Sequence, residues 1–121
     1  MGCFELKASM DLNPRESNLE KYLRTCAANE GWRIVKYGVD GWPDDLVIAT
    51  EGVVGWIELK RRGMSLEPRQ ALRIEELQAR GFLACSADVK IKVDWFIVRL
   101  RELVADAKAA RVGKRIGIPE A

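Results

Sequence analysis

The chain has 121 residues, 48% of them apolar and 31% charged, with a net charge of +2. That length suits one domain better than two, and the composition is that of an ordinary soluble globular protein. Histidine is absent, which excludes Ser-His-Asp and Cys-His catalysis, HExxH zinc sites and nucleases that depend on histidine.

Chemistry must therefore rest on carboxylates, lysine, hydroxyls, a thiol or a bound metal. Three cysteines, Cys3, Cys26 and Cys85, are scattered without a CxxC pair. They read as plain thiols, neither a disulfide framework nor a zinc knuckle. No apolar run reaches the length of a membrane span, and no basic stretch followed by an apolar signal region stands at the N-terminus. A cytoplasmic protein is expected. Basic residues gather in two stretches, Lys60, Arg61, Arg62, Arg69, Arg73 and Arg80, then Lys108, Arg111, Lys114 and Arg115. Solvated surface charge and a nucleic-acid footprint both fit them.

Along the chain, residues 1–12 show no clear period and are expected to form a loose tail. Asn13 caps a first helix, with Pro14 at its first position and Glu16 three residues after the cap. Leu19, Tyr22, Leu23 and Cys26 give that helix one apolar face, and it should end near residues 29–31. Residues 32–37 read as a strand, 38–43 as a loop, and 46–50 (LVIAT) as a short apolar strand. Glu51-Gly52 is a turn that pairs 53–60 back against it, with Thr50 opposite Val53. Pro68 opens a second helix that Gly81 closes. Residues 82–86 form a further strand, and 92–110 a helix or a strand running into one. Residues 112–121 are expected to be a second loose tail. The order predicts one α/β domain, a mixed β-sheet flanked by helices.

The chemistry gathers on Gly55-Trp56-Ile57-Glu58-Leu59-Lys60. Side chains alternate across a strand, so Glu58 and Lys60 share one face while Ile57 and Leu59 take the other. An edge-strand ion pair would explain an isolated ExK string. The upstream segment Gly41-Trp42-Pro43-Asp44-Asp45 changes its weight. Proline suits the start of a strand, and the short turn brings Asp44 beside residues 58–60. Two carboxylates beside a backbone carbonyl make an oxygen-rich site for Mg²⁺ or Mn²⁺. Such an ion can polarise a phosphate and activate water, and a lysine can stabilise the charge that develops.

These segments, G-W-P-D-D followed by W-I-E-L-K, resemble the PD-(D/E)xK nuclease superfamily. The continuation R-R-G-M-S-L-E-P-R-Q, a helix and R-G-F are similar to its VRR-NUC branch, over residues 16–86. The resemblance implies a restriction-endonuclease-like sheet and a metal-dependent DNA endonuclease, with branched DNA or a Holliday junction as substrate and a homodimer as the assembly. It places Asp44 and Glu58 as metal-binding carboxylates, the Leu59 carbonyl as a third ligand and Lys60 as the catalytic lysine. The branch often has a basic residue where this chain has Asp45, which leaves Asp45 as a possible substitute ligand. A non-catalytic DNA-binding or assembly module on the same fold is the alternative.

Further candidates surround this set. Gln70 shares a helical stripe with Ile74 and Leu77, as a core amide or as support for the site. Arg61, Arg62 and Arg69 are candidate DNA contacts. Trp32, Trp42, Trp56 and Trp95 read as packing residues, with Trp42 the one candidate for stacking on a base. For the acid the branch places in its first helix, Glu16 and Glu20 both fit. Glu16 has a structural role as capping-box partner of Asn13, so Glu20 is the expected catalytic acid.

Overall fold

A computed structural model describes residues 16–114, and side chains from residue 17 to residue 111. Asn13, Pro14, Cys3, the Glu16 side chain and the segments 1–12 and 115–121 lie outside the described residues. The described elements are α1 (Glu16–Glu30), β1 (Arg33–Lys36), β2 (Asp45–Ile48), β3 (Val54–Leu59), α2 (Pro68–Ala79), β4 (Leu83–Ala87) and α3 (Lys90–Lys114). This is the expected α/β order. The doubtful segment after residue 90 is helical throughout, and it continues to Lys114, through positions expected to belong to a tail.

The four strands lie in the order β1-β2-β3-β4. The first two pairings are antiparallel and the last is parallel, so the sheet is mixed. Parallel neighbours need a crossover, and α2 supplies it between β3 and β4. Period-two alternation then divides the side chains between two layers. Val47, Ile57, Leu59 and Ala87 face Leu19, Leu23 and Cys26 of α1 and Val93, Phe96, Ile97 and Leu100 of α3. Leu46, Trp56 and Ala84 turn the other way, toward Ile74 and Leu77 of α2. Gly55 lets α3 approach the sheet closely, because a Cβ there would lie 2.8 Å from the Phe96 ring.

The hairpin between β2 and β3 departs from the expected register by one residue. Ile48 faces Val54 and Asp45 faces Ile57, and the Val53 carbonyl accepts from the Ala49 amide at 2.9 Å. Glu51 and Gly52 both adopt positive φ, 58° and 75°, and the Val53 amide donates to the Thr50 carbonyl at 3.0 Å, so the expected two-residue turn forms and the ladder shifts by one residue just beyond it. A one-residue slip reverses which face each side chain occupies relative to the partner strand. The observed register sets residue 44 across from residue 58, where the expected one would have set it across from Leu59.

Cys26 and Cys85 are free thiols, and burial pushes the Cys85 thiol up to about 12. Among the described residues no helix is long and apolar enough to cross a membrane.

Candidate active site

Glu58 is 3% exposed on a strand that is otherwise apolar. A buried carboxylate needs partners, and this one has three. The Asp44 amide donates to Oε1 at 3.0 Å, the Gln70 amide donates to Oε2 at 3.4 Å, and the Lys60 ammonium lies 3.5 Å from Oε2. Burial and then the Asp44 charge raise the Glu58 pKa, while the Asp44 amide and Lys60 work in the opposite direction. Asp44 is held from both sides, since its carbonyl also accepts from the Tyr37 amide at 2.7 Å. Lys60 is anchored through its own amide to the Ala87 carbonyl at 2.9 Å.

Gln70 uses both ends of its amide. Oε1 accepts from the Glu67 amide at the start of α2, at 3.0 Å, and Nε2 reaches Glu58. It therefore ties the first turn of the helix to the acid. The structure thus brings Asp44, Glu58, Lys60 and Gln70 together on the α2 face of the sheet.

Asp45 and Glu20 meet on the other face. Asp45 shares the direction of Val47 and is fully buried, so it points away from Glu58. Among the described residues neither of its carboxylate oxygens accepts a hydrogen bond. Lys36 lies 3.4 Å from Asp45 and 2.9 Å from Glu20, and Arg24 lies 3.3 Å from Glu20. Burial, reinforced by the nearby Glu20 charge, pushes the Asp45 carboxyl up to about 7. Lys36 escaped the sequence reading. Its signal was the alternation of 32–37, which puts it on the face of Ile34 at the end of the strand.

The tryptophans behave mostly as packing residues. Trp32 and Trp56 are buried. Trp42 meets the rings of Tyr37 and Trp56 at 5.4 and 5.3 Å, and the Arg73 guanidinium covers it at 4.4 Å. With its surfaces so occupied, Trp42 packs rather than offering a free stacking face. Trp95 departs from the expectation and is 55% exposed, because the buried stripe of α3 runs through Val93, Phe96, Ile97 and Leu100 and misses it. Arg61 and Arg62 lie exposed in the loop after β3. Arg69 makes a two-pronged pair with Asp40, at 2.9 and 3.2 Å.

The donor set can be tested for the metal that such a site implies. Among the described residues no three His, Cys, Asp or Glu side chains converge on one point. Asp44 and Glu58 lie near enough for the charge of the first to raise the pKa of the second. Two hard carboxylates beside a strand-end carbonyl fit a divalent cation that keeps several of its own waters.

No protein-family profile matches the sequence, and no curated protein matches it significantly. A solved structure described as a VRR_NUC domain is similar to this chain at 28% identity, with a TM-score of 0.63. The match covers 68% of this chain and 92% of that one. With the mixed sheet, its flanking helices and the acid–lysine strand in agreement, the chain has the nuclease-like α/β fold of that VRR_NUC domain and resembles it over most of the domain's length.

Proposed function

We propose that this domain is a Mg²⁺- or Mn²⁺-dependent endonuclease that hydrolyses DNA phosphodiester bonds. The observation that carries the reading is Glu58, a buried carboxylate flanked by Asp44 and Lys60 at one end of β3. Asp44, Glu58 and the Leu59 carbonyl would hold the cation, which when bound supplies Lewis acidity toward a phosphoryl oxygen. Lys60 serves the same oxygens as charge builds on them, and it can orient the attacking water. Gln70 holds Glu58 in place through its amide. Arg61, Arg62 and Arg69 contact the DNA backbone. Glu20 lies with Lys36 and Asp45 on the other face of the sheet, so of the two α1 acids its part in cleavage is the one that the paired variants below decide.

Branched DNA, including four-way junctions, is the proposed substrate, cut by a homodimer that offers one site to each scissile strand. The test is cleavage of linear, flap and four-way DNA with Mg²⁺, with Mn²⁺ and with excess chelator. Cleavage with either ion and none in chelator is expected. Full activity in chelator would overturn the mechanism, and binding without cleavage under every condition would favour a non-catalytic module. Light scattering should give a dimer mass, alone or with junction DNA. Paired Glu16→Gln and Glu20→Gln variants should separate lost stability from lost cleavage.

A further inference from the structure

Two arginines stand one turn apart on α2, at the border of the site. Arg69 precedes Gln70, the residue that reaches Glu58, and Arg73 follows on the same helical row. Side chains four apart on a helix sit about 5–6 Å from each other, a separation comparable to that of successive phosphates on one strand. Both arginines face the loop 37–43, which leads directly into Asp44. Between helix and loop lies a cavity of about 250 Å³ lined by Asp40, Gly41, Arg69, Leu72, Arg73 and Glu76.

Each arginine is already shaped for an anion. The Arg69 fork makes two parallel N–H···O bonds to the carboxylate oxygens of Asp40, the geometry with which arginine also takes a phosphate. Arg73 lies over the Trp42 ring at 4.4 Å and is oriented by Glu76 at 2.6 Å, so its guanidinium is held before any ligand arrives.

The Arg69–Asp40 pair is open to exchange. Its side chains are 64% and 80% exposed, and ion pairs of that kind contribute little to stability because water screens them. A phosphate presents the same two-oxygen edge and can take the place of Asp40 with no loss of hydrogen bonds. We infer that Arg69 and Arg73 form a clamp for DNA backbone phosphates adjoining the cleavage site, and that Asp40 occupies the Arg69 fork in the free protein. The inference rests on the nuclease reading and adds to it the residues that hold the strand and a carboxylate that competes for them.

The test is DNA binding measured in chelator across a salt series, for wild type and for Arg69→Ala, Arg69→Gln, Arg73→Ala, Arg73→Lys and Asp40→Asn. Arg99→Ala and Asp106→Asn, charge-matched changes on α3, are the controls, and melting temperatures establish that each variant is folded. Each loss of an arginine should lower the slope of log affinity against log salt by about 0.9, the value expected for one phosphate contact. Arg73→Lys should keep its slope. Asp40→Asn should bind about two- to fivefold more tightly at low salt, beyond any effect of Asp106→Asn.

Slopes for folded Arg69 and Arg73 variants equal to that of Arg99→Ala would overturn the clamp. An Asp40→Asn affinity no different from that of Asp106→Asn would overturn the competing role of Asp40. Wild-type cleavage in Mg²⁺, assayed in parallel, separates these failures from failure of the nuclease reading. Absence of any salt-dependent DNA binding by the wild type would end both.

Discussion

Two carboxylates are buried on neighbouring strands of this sheet, and they are given different hydrogen-bond partners. Glu58 faces α2 and receives an amide, a glutamine and a lysine. Asp45 faces α1 and has one ammonium at 3.4 Å, a second acid beside it and no hydrogen bond among the described residues. Burial alone therefore does not mark a site. The partners do: the Asp44 amide and Lys60 both oppose the rise that burial and the Asp44 charge impose on Glu58, whereas at Asp45 only Lys36 opposes the rise from burial and Glu20.

The largest effect should come from attacking the site side of this contrast. Glu58→Gln and Lys60→Ala are each expected to lower the cleavage rate by roughly 10²–10³-fold or more, the range seen when one transition-state contact is lost. Both should stay folded by circular dichroism, and Asp45→Asn should cleave within a few-fold of wild type. Equal loss of cleavage in folded Asp45→Asn would erase the distinction between the two acids.

The next effect bears on stability. Lys36→Ala removes the cation shared by Asp45 and Glu20 and should cost about 1–2 kcal/mol at neutral pH. Removing one partner of a buried pair costs more than that, but the Lys36 side chain is 51% exposed, which reduces its share. Urea denaturation measures it, and an unchanged midpoint would mean that the Asp45 proton alone relieves the strain.

A smaller effect depends on pH. The Asp45 carboxyl is raised from 3.8 to about 7, so between those values the folded protein keeps a proton that the unfolded chain releases. The stability this contributes is fully present below about pH 4 and is lost as pH rises through 7. Asp45→Asn removes the dependence. Relative to wild type it should therefore be more stable at pH 8, and the difference should shrink toward pH 4. A constant difference at every pH would show that Asp45 does not hold that proton.

The smallest effect belongs to Gln70. Its bond to Glu58 is long, 3.4 Å, so Gln70→Ala should slow cleavage only about three- to tenfold, the worth of roughly one net hydrogen bond. A loss as deep as that of Lys60→Ala would place Gln70 among the reacting groups.

Much of this was legible in the amino-acid order. The glycine and proline punctuation around 38–43, 51–52 and 68–81 marked the elements, and alternation in WIELK put Glu58 and Lys60 on one face. The same alternation, applied to Asp44-Asp45, would have shown that two adjacent strand residues point to opposite layers and that Asp45 could not replace Asp44. The β2–β3 register was less legible, because a two-residue turn does not reveal that the ladder just beyond it shifts by one residue.

What the sequence determined by itself is local: the period of each element, the shared face of Glu58 and Lys60, and the proline-led entry of Asp44 into its strand. These follow from backbone geometry over a few residues, which any strand or helix imposes. The tertiary structure decided who partners whom. Glu58 receives its amides from residues 14 and 12 positions away, and Glu20 meets Lys36 across 16 positions. Such pairings depend on which helix covers which face of the sheet, a choice made by the packing of the whole domain and carried by no short window of the chain.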